Sequence, residues 1–309
     1  MEVFILGTSG MMPLPNRHLT SMLLRREGSL FLFDCGEGTQ VSLKKLSLRW
    51  KRIDAIFISH THADHVTGLP GILMLSSQVD RDTPLYIIGP PKIKEFVEAM
   101  IRTLDMYINY QIIIQEINPE ERQVVFEAED KSFTVKSFPL KHSKPCVGYC
   151  FEEAPRSGQF FPEKALEAGV PCGPDWARLQ SGKSVEVNGK TVCPSDVMGH
   201  PRPGRKVSFV TDTLYIDSIA GDVKESDLLI CEGMFTDDLI ATAKEKKHLT
   251  AKQAAKIAKD AQVKKMGMIH YSPRYTDRNL SSLLNEAQSV FAQSFLCKDR
   301  LVLKIPYPE

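Results

Sequence analysis

Four side chains that bind metal ions well lie within six residues of this sequence, at His60, His62, Asp64 and His65. They follow directly on the apolar run 55–58, which is typical of a buried strand. Side chains two apart in an extended segment point the same way, so His60 and His62 can serve one ion. A turn can then direct Asp64 and His65 towards a second position. Imidazoles and carboxylates are good zinc ligands, so the spacing favours two adjacent metal ions.

Three further candidate ligands occupy the same kind of place, directly after an apolar run. His142 follows 133–138, Asp212 follows 207–210 and His270 follows 266–269. Each alone is weak evidence, because an aspartate after a strand is usually a turn residue. If these runs are strands of packed sheets, their ends bring seven potential ligands to one edge.

The order of the apolar runs predicts the fold class. Short β-branched or aromatic runs dominate the early and middle chain, and amphipathic helical patterns interleave later. This order favours an α/β (α+β) architecture of two packed sheets flanked by helices over a doubly wound parallel sheet. The predicted strands are 3–6, 30–33, 55–58, 85–88, 110–117, 133–138, 207–210, 228–231 and 266–269; the predicted helices are 91–106, with Pro91 in its first turn, 237–246, 251–262 and 280–293.

Residues 155–205 break this pattern. The segment holds seven prolines and seven glycines, of the 19 of each in the whole chain. It predicts only a helical turn at 162–168 and a hairpin, 185–187 with 191–193, around Asn188-Gly189. One interpretation is an irregular surface insertion. The other is a protruding functional arm, because loops of this length in compact domains are usually functional or disordered.

Composition limits the class of protein. The 309 residues are 42% hydrophobic and 25% charged, which is ordinary for one large or about two globular domains. No run approaches the ~18 apolar residues of a membrane helix, and the N-terminal residues lack a signal-peptide pattern, so we expect no membrane partner. With 39 Lys and Arg against 38 Asp and Glu, a nucleic acid must meet a local patch rather than an overall field.

The cysteines indicate the redox compartment. There are seven, an odd number, and no two form a C-x-x-C pair. A reduced, cytoplasmic protein fits this usage better than a disulfide framework does.

A separate histidine, His248, lies just before a predicted helix. Thr250-x-x-Gln253 has the capping-box pattern and precedes a helical apolar face. Backbone N–H groups at a helix N-terminus favour a phosphate, so His248 would lie beside a phosphate bound there. On sequence alone, an exposed histidine without a role is the more usual interpretation of such a position.

Together these motifs resemble the metallo-β-lactamase superfamily, and more closely the ribonuclease Z family of tRNA 3′-processing endonucleases. The superfamily pattern is His60-x-His62-x-Asp64-His65 with His142, Asp212 and His270. The closer resemblance lies in 7–10 (GTSG), 33–40 (FDCGEGTQ) and 272–275 (SPRY), and in 169–174 (GVPCGP) and 179–182 (LQSG) of the Gly/Pro-rich segment. It runs from the first strand to Tyr275.

The resemblance implies a metallo-β-lactamase-like αββα sandwich. It would form a single catalytic domain over residues 1–309, with an inserted, protruding tRNA-binding arm at 155–205. It also implies two zinc ions per subunit, and the sequence leaves manganese or iron open. The implied ligands are His60, His62 and His142 for one ion, Asp64, His65 and His270 for the other, and Asp212 as the bridge.

The implied activity is endonucleolytic removal of the 3′ trailer from precursor tRNA, which leaves a 3′-hydroxyl on the tRNA and a 5′-phosphate on the trailer. By this resemblance Asp64 accepts the proton of the attacking water and His248 helps the leaving oxygen depart. Glu232 can orient His248 and raise its pKa. The family is typically a homodimer in which the arm of one subunit holds tRNA for the active site of the other.

Five residues are candidate RNA contacts. Gly173 and Pro174 belong to the arm motif, Arg178 and Lys183 lie beside it, and Arg274 lies near the metal ligands. The arm carries seven basic and five acidic residues, a net charge of +2. A clamp on tRNA needs shape and phosphate contacts more than base reading, but an ordinary mixed, solvated surface would have the same composition.

Five positions depart from the family pattern, and none of them is an expected ligand. They are His18, Thr61, Ala63, Thr211 and Cys231. Thr211 replaces a glycine before Asp212, so the backbone there can differ. Cys231 replaces a histidine beside Glu232, which puts the role of Glu232 in question.

Two other functions remain open from the sequence. One keeps the metals but acts on small phosphodiesters, thioesters or lactams; the Gly/Pro-rich arm argues against it, because a small substrate needs no distant grip. The other is a non-catalytic RNA-binding protein on the same fold; the complete ligand set and His248 argue against that. The sequence also leaves open the effect of an encoded CCA end and the cleavage of other RNAs.

Overall fold

The computed structural model describes residues 1–79 and 81–308. The strands in this part of the chain are β1 (Glu2–Gly7), β2 (Ser21–Arg26), β3 (Ser29–Phe33), β4 (Ile53–Phe57), β5 (Leu85–Gly89), β6 (Ile112–Glu116), β7 (Gln123–Glu127), β8 (Phe133–Lys141), β9 (Pro145–Glu153), β10 (Val185–Val187), β11 (Lys190–Val192), β12 (Lys206–Val210), β13 (Leu228–Glu232), β14 (Met266–Ile269), β15 (Ser294–Leu296) and β16 (Val302–Lys304). The helices are α1 (Thr39–Lys45), α2 (Ala63–Val66), α3 (Leu69–Ser77), α4 (Ile93–Thr103), α5 (Pro162–Glu167), α6 (Pro174–Gln180), α7 (Pro194–Val197), α8 (Ser218–Asp222), α9 (Ile240–Lys246), α10 (Ala251–Asp260) and α11 (Leu280–Val290).

Two seven-stranded sheets, each half antiparallel and half parallel, form the body of the molecule. The first has the order β16-β1-β2-β3-β4-β5-β6, antiparallel as far as β3 and parallel beyond it. The second has the order β15-β14-β13-β12-β9-β8-β7, parallel as far as β12 and antiparallel beyond it. The carboxyl ends of β4, β8, β12 and β14 consequently reach one edge of the two sheets.

The residue pattern of the strands explains why the sheets pack face to face. Alternate side chains of a strand point to opposite faces. In β3 and β4, Phe31, Phe33 and Phe57 face the second sheet, while Leu32 and Ile56 face the outer helices. Phe33 stacks on Phe57 with ring centroids 5.0 Å apart, and each fully buried ring of this kind contributes about 2–3 kcal/mol.

Helices cover the outer face of each sheet. The first sheet packs against α1, α3 and α4, and the second against α8, α10 and α11. In α10, Ala254, Ile257 and Ala258 form the buried face that the sequence pattern predicts. Within residues 1–79 and 81–308, no helix is both long and apolar enough to cross a membrane.

The predicted fold class, two mixed sheets flanked by helices, is confirmed. The predicted strands are all present, but the strands β2, β7, β9, β15 and β16 were not predicted. The helix predicted from Pro91 to about residue 106 is wrong at both ends, because it runs from Ile93 to Thr103. Lys92 has a left-handed φ of 79°, which keeps Pro91 outside the helix.

The other three predicted helices are also shorter than expected, and the one predicted at 251–262 ends at Asp260. The segment predicted as helix 237–246 begins with a 3-10 turn, Asp237–Leu239, before α9. The helix predicted to reach residue 293 ends at Val290. Helix ends fray and depend on tertiary contacts, so periodicity alone does not fix them.

Residues 155–205, which we call the arm, form a small folded unit. They contain α5, α6, the hairpin β10–β11 and α7 around an apolar cluster that includes Ala165, Leu179 and Val192. Asn188 and Gly189 have φ angles of 52° and 73°, as a two-residue hairpin turn of the predicted kind requires. The segment is therefore not an irregular loop.

The arm joins the body through two segments, 155–160 and 198–205, which we call the stalk. The first continues β9 and the second leads into β12. Because β12 ends at the edge that carries Asp212, the stalk lies at the opposite edge of the second sheet. The five residues of β12 at ~3.3 Å each put about 17 Å between the two edges.

Candidate metal centre

The first ligand group lies where β4, β8 and β12 end. His60 follows β4, His62 caps α2, His142 follows β8 and Asp212 follows β12. The Nδ1 atom of His62 is 2.8 Å from His60 Nε2 and 3.2 Å from His142 Nε2. Asp212 Oδ2 is 3.5 Å from His60 Nε2 and 3.6 Å from His142 Nε2. Three imidazoles and one carboxylate oxygen thus converge on a single point.

The second ligand group uses Asp64 and His65 on α2 and His270 after β14. The Nε2 atoms of His65 and His270 are 3.3 Å apart, and Asp64 Oδ2 is 3.6 Å and 3.4 Å from them. Asp212 Oδ1 is 3.4 Å from His65 Nε2 and 3.1 Å from His270 Nε2. The two oxygens of Asp212 therefore face the two groups, one each.

Left-handed backbone positions direct some of these side chains. Asp212 has a φ of 33° and His270 a φ of 58°; in a non-glycine residue this costs about 1 kcal/mol or more, and such strain concentrates at functional sites. Thr211, which replaces the glycine of the family pattern, is not left-handed. Its hydroxyl donates to Asp212 Oδ1 at 2.6 Å, so this departure adds a hydrogen bond to the Asp212 carboxylate.

Buried hydrogen bonds hold the imidazole rings. Asp34, after β3, accepts from Ser59 N–H at 2.7 Å and from the Ser59 hydroxyl at 2.8 Å. Asp34 Oδ2 is also 2.7 Å from His65 Nδ1. The Nδ1 atom of His142 is 3.0 Å from the Lys247 carbonyl oxygen, which can accept its proton. Partners of this kind set the tautomer and direct the opposite nitrogen towards a metal.

Gly10 explains how His270 is held. Within the described residues, His270 Nδ1 is buried and has no hydrogen-bond partner. A Cβ on Gly10 would lie 2.5 Å from the His270 ring, so only glycine allows this approach. Backbone packing at Gly10, rather than a hydrogen bond to Nδ1, therefore holds this side of the imidazole ring.

The electrostatics of the first group favour neutral imidazoles. Burial lowers the pKa of His60 well below its usual value. Burial, together with the neighbouring His142 and Lys144, lowers the pKa of His62 to about 4. Metal ligands must be deprotonated, so these histidines are ready to coordinate at neutral pH.

The second group attracts positive charge. Burial opposes a charge on His65, but the carboxylates of Asp212, Asp34 and Asp64 outweigh burial and raise the pKa of His65 well above its usual value. Three carboxylates around one buried position create a demand for a cation, which a divalent metal ion would meet.

Both groups fit a divalent metal ion. Around a tetrahedral zinc with ligands at ~2.1 Å, neighbouring ligand atoms lie about 3.4 Å apart. The observed separations run from 2.8 to 3.6 Å. Imidazole and carboxylate donors without thiolate suit zinc and leave other first-row metals open.

His248 and Glu232 lie beside the two groups. The His248 ring centroid is 5.1 Å from that of His142 and 5.4 Å from that of His270. Its Nδ1 is 3.2 Å from Glu232 Oε2, and Glu232 Oε1 accepts the N–H of Thr213 at 2.7 Å. The departure at Cys231 therefore leaves the contact between Glu232 and His248 intact.

Burial opposes the charged form of His248, but the carboxylates of Glu232 and Asp212 outweigh it and raise its pKa to about 9. The residue is only 8% exposed. Two residues on, Thr250 and Gln253 form the predicted capping box at the start of α10. A pKa of about 9 favours the protonated imidazole at neutral pH, and the His248 ring lies beside ligands of both groups.

The candidate RNA-binding residues do not form one site. Arg274 is exposed near His270, and its guanidinium lies over the Phe235 ring at 5.1 Å. The other four candidates lie in the arm, where Gly173 and Pro174 begin α6, Arg178 is on α6 and Lys183 follows it. The stalk that carries these four residues joins the body at the start of β12, whereas Asp212 follows the end of that strand.

Sequence reasoning missed Asp34, Ser59 and the backbone contacts of the site. Asp34 carries the same signal as the predicted ligands, a polar residue directly after a predicted strand. The N–H of Met11 donates to Asp64 Oδ2 at 2.7 Å. That contact leaves no mark in the residue pattern, because any non-proline residue supplies a backbone N–H.

Two packed sheets with paired histidine and aspartate clusters at one edge define a metallo-β-lactamase-fold hydrolase with a divalent-metal site. Family models agree: the Beta-lactamase superfamily domain matches residues 167–271, and the Anti-Pycsar protein Apyc1 model matches residues 1–154.

Similarity to individual proteins identifies the family within this superfamily. The chain is 62% identical to ribonuclease Z of Treponema denticola, over 100% of this chain and 99% of that protein. It is 45% identical to ribonuclease Z of Borrelia hermsii, over 98% of this chain and 96% of that one. The crystal structure of the short form of human tRNase Z superposes with a TM-score of 0.72 at 27% identity, covering 99% of this chain and 100% of that chain. The chain belongs to the ribonuclease Z family, and it is an enzyme that hydrolyses phosphodiester bonds.

Proposed function

We propose that this endoribonuclease removes the 3′ trailer from precursor tRNA with two zinc ions per subunit, and that it leaves a 3′-hydroxyl on the tRNA and a 5′-phosphate on the trailer. One observation carries the proposal. Asp212 offers one carboxylate oxygen to each of two ligand groups, and a buried, protonated His248 lies beside both.

His60, His62 and His142 would hold one ion, Asp64, His65 and His270 the other, and Asp212 would bridge them. Bound in this way, two divalent ions would supply Lewis-acid activation of water and charge stabilisation at the scissile phosphate. Asp34 and Lys247 would keep the imidazoles oriented, as described above.

Asp64 is the proposed proton acceptor. Burial would raise its pKa, but interactions with His65 and His270 outweigh burial and lower it, so the carboxylate is ionised. The Met11 N–H fixes Oδ2, and the second carboxylate oxygen can accept a proton from the attacking water.

His248 is the proposed general acid. With a pKa of about 9 it carries a proton at neutral pH and can donate that proton to the 3′ oxygen as the phosphodiester bond breaks. Glu232 would orient the ring through Nδ1, which leaves Nε2 for the substrate.

The arm is proposed to hold the body of the tRNA, with Gly173, Pro174, Arg178 and Lys183 as contacts. Shape and phosphate contacts suffice for this task. Near the centre, Arg274 and Lys144 are exposed cations that can meet backbone phosphates.

The stalk leaves the body at the edge opposite the metal centre. This attachment, far from the metal ligands, supports the proposal of a homodimer in which each arm serves the centre of the other subunit. The residue range 1–309 is then one catalytic domain, with 155–205 as its inserted arm. None of the seven cysteines, all of them in the described residues, forms a disulfide, which supports a reducing, cytoplasmic location.

The direct test is cleavage of a precursor tRNA that carries a 3′ extension, with both new ends mapped and the metal content measured. We expect a single cut, a 3′-hydroxyl tRNA, a 5′-phosphate trailer and two zinc ions per chain. Mature tRNA without a trailer should remain uncut. A cyclic phosphate product, or turnover of small phosphodiesters without any cut in the precursor, would overturn the proposal.

A further inference from the structure

Several hydrogen bonds join the two segments of the stalk, among them Gly199 N–H to the Gln159 carbonyl at 2.8 Å and Arg202 Nε to the Ser157 carbonyl at 3.2 Å. Arg156 and Arg202 exchange a pair of backbone hydrogen bonds, at 2.8 and 2.9 Å, and Phe160 forms an isolated bridge with Met198. No continuous ladder joins the two segments within the described residues. These contacts join the two segments to each other, so the angle between arm and body depends on what holds the stalk to the sheet.

A buried ionic cluster fixes the point where the stalk meets the sheet. Arg205 donates Nε and Nη2 to the two carboxylate oxygens of Glu153, at 2.8 and 2.7 Å. Arg26 Nε adds a third hydrogen bond to Glu153 at 2.8 Å. Glu153 ends β9 and Arg205 ends the stalk, so this paired geometry joins the two chain segments at their base.

The segment after β16 reaches over this base. Ile305 is anchored by its N–H to the Met1 carbonyl at 3.0 Å and is buried in the inter-sheet core. Two residues on, the Tyr307 ring lies under two guanidinium groups. The Arg156 carbon Cζ is 4.0 Å from the ring centroid and that of Arg205 is 3.8 Å from it.

The two arginines come from opposite sides of the stalk. Arg156 belongs to the outgoing segment and Arg205 to the returning one. Arg156 Nη2 also donates to the Pro308 carbonyl at 2.9 Å. One aromatic ring of the body thus contacts both stalk segments, while its own chain is anchored in the core two residues away.

We propose that Tyr307 is a positioning residue for precursor tRNA: by bridging Arg156 and Arg205 it fixes the direction in which the arm leaves the body. This inference rests on the proposed function of the arm. The ring touches neither the metal ligands nor the candidate RNA contacts, so its effect should reach the reaction only through substrate binding.

The decisive measurement is steady-state cleavage of a trailer-containing precursor tRNA by the metal-loaded, full-length enzyme, beside hydrolysis of bis(p-nitrophenyl) phosphate. For Tyr307→Ala we expect the precursor KM to rise about 5- to 10-fold, with kcat and small-substrate hydrolysis within about twofold. Tyr307→Phe keeps the ring and should stay within about twofold of the wild type in every parameter. A parallel fall in kcat for both substrates would mean a general structural role and would overturn the proposal, as would an unchanged KM.

A matched control separates the ring from the strand before it. Val302 lies on β16 and is 40% exposed. Val302→Ala weakens the packing of the same strand without removing a stalk contact, so it should leave the precursor KM unchanged. A rise equal to that of Tyr307→Ala would assign the effect to the strand and refute a specific role of the ring.

Arg156→Ala removes the contact between the Arg156 guanidinium and the Tyr307 ring from the arginine side. This variant replaces Tyr307→Ala in the test if Tyr307→Ala does not fold. If the residues act together, the double variant should raise KM no more than the larger single effect. Independent, multiplying effects would mean that Arg156 touches RNA directly and that Tyr307 does not act through it.

A variant with residues 161–197 replaced by a Gly/Ser linker distinguishes the positioning role of Tyr307 from the proposed tRNA-binding function of the arm. If that variant keeps the wild-type precursor KM, the proposed function of the arm fails, and the positioning role fails with it. If it raises KM but Tyr307→Ala does not, only the positioning role is wrong.

Discussion

The metal centre and the arm are built in contrasting ways. The centre consists of buried and half-buried polar side chains at the ends of β4, β8, β12 and β14, drawn from parts of the chain more than 200 residues apart (Asp64 and His270 are separated by 206). The arm is contiguous in sequence, has its own apolar cluster and exposes most of its charges. The first therefore depends on the whole fold, and the second depends mainly on itself and on its stalk.

This contrast predicts separable functions. A site assembled from many strand ends needs a rigid body, because its ligand atoms must stay in place to within a few tenths of an ångström. A separate unit on a narrow stalk can bind a large substrate without distorting that site. Changes at the centre should therefore alter kcat for every substrate, and changes in the arm should alter only the KM of large ones.

Loss of Asp212 should have the largest effect. Asp212→Ala removes one carboxylate oxygen from each ligand group, so we expect both ions to bind poorly and cleavage of every substrate to fall by about 10³-fold or more. Metal content by mass spectrometry and hydrolysis of a small phosphodiester test this directly. His142→Ala is the comparison, because it removes a ligand from the first group only. If Asp212→Ala retained two tightly bound ions, the bridging arrangement would be wrong.

Loss of His248 should come next. His248→Ala should lower kcat by about 10²- to 10³-fold, the usual range for general acid–base catalysis, while metal content and precursor KM stay close to those of the wild type. Glu232→Gln keeps the size of the orienting group but removes its charge, and should lower kcat less. An analogue with a better leaving group should lose less from His248→Ala; equal losses for both substrates would argue against an acid role.

The sequence predicts a feature of the metal centre or the arm when the residues that form the feature are close together in the chain. His60, His62, Asp64 and His65 are adjacent in sequence, so their spacing alone indicates a metal site. The division of Asp212 between two groups depends on the φ of one residue and on the packing of two sheets, which no residue pattern contains. Its position after a predicted strand marks Asp212 as a candidate ligand, but its role as a bridge comes only from the family resemblance.

The arm differs from the metal centre in what its sequence predicts. Its boundaries and the hairpin at Asn188-Gly189 follow from prolines and glycines, because these residues restrict or permit particular φ angles. The attachment of the arm to the body does not follow from any residue pattern. Tyr307 meets Arg156 only across 151 positions of sequence, and an aromatic residue near an apolar strand gives no sign of such a contact.

Removal of the arm should affect one substrate and spare the other. Replacing 161–197 by a linker leaves both large cores and the stalk contacts in place, so bis(p-nitrophenyl) phosphate hydrolysis should change by less than about twofold, while the precursor KM rises by about 10- to 100-fold through lost phosphate contacts. The wild-type KM should also rise with salt more steeply than that of the variant. A loss of small-substrate activity would mean that arm and centre are not separable in this way.

The smallest effect concerns the junction of the two regions. Burial alone would raise the pKa of Glu153, but its hydrogen bonds with Arg205 and Arg26 outweigh burial and lower it to about 2, against an ordinary value of 4.5. A lowered folded-state pKa stabilises the protein above the ordinary value, and this contribution is lost as the pH falls from about 4.5 to about 2. After allowance for solvent screening, we expect about 2 kcal/mol.

Glu153→Gln isolates this contribution. In metal-free protein, where ligand protonation cannot release an ion, the difference in unfolding free energy between the wild type and Glu153→Gln should be constant above about pH 5 and should shrink towards pH 2. Glu152→Gln, one residue earlier on the exposed side of β9 and paired with Lys136 at 2.6 Å, is the matched control and should show a smaller pH dependence because exposed ion pairs contribute little. If the difference for Glu153→Gln did not vary with pH, the cluster would act through packing rather than charge. The junction would then join arm and body by shape alone.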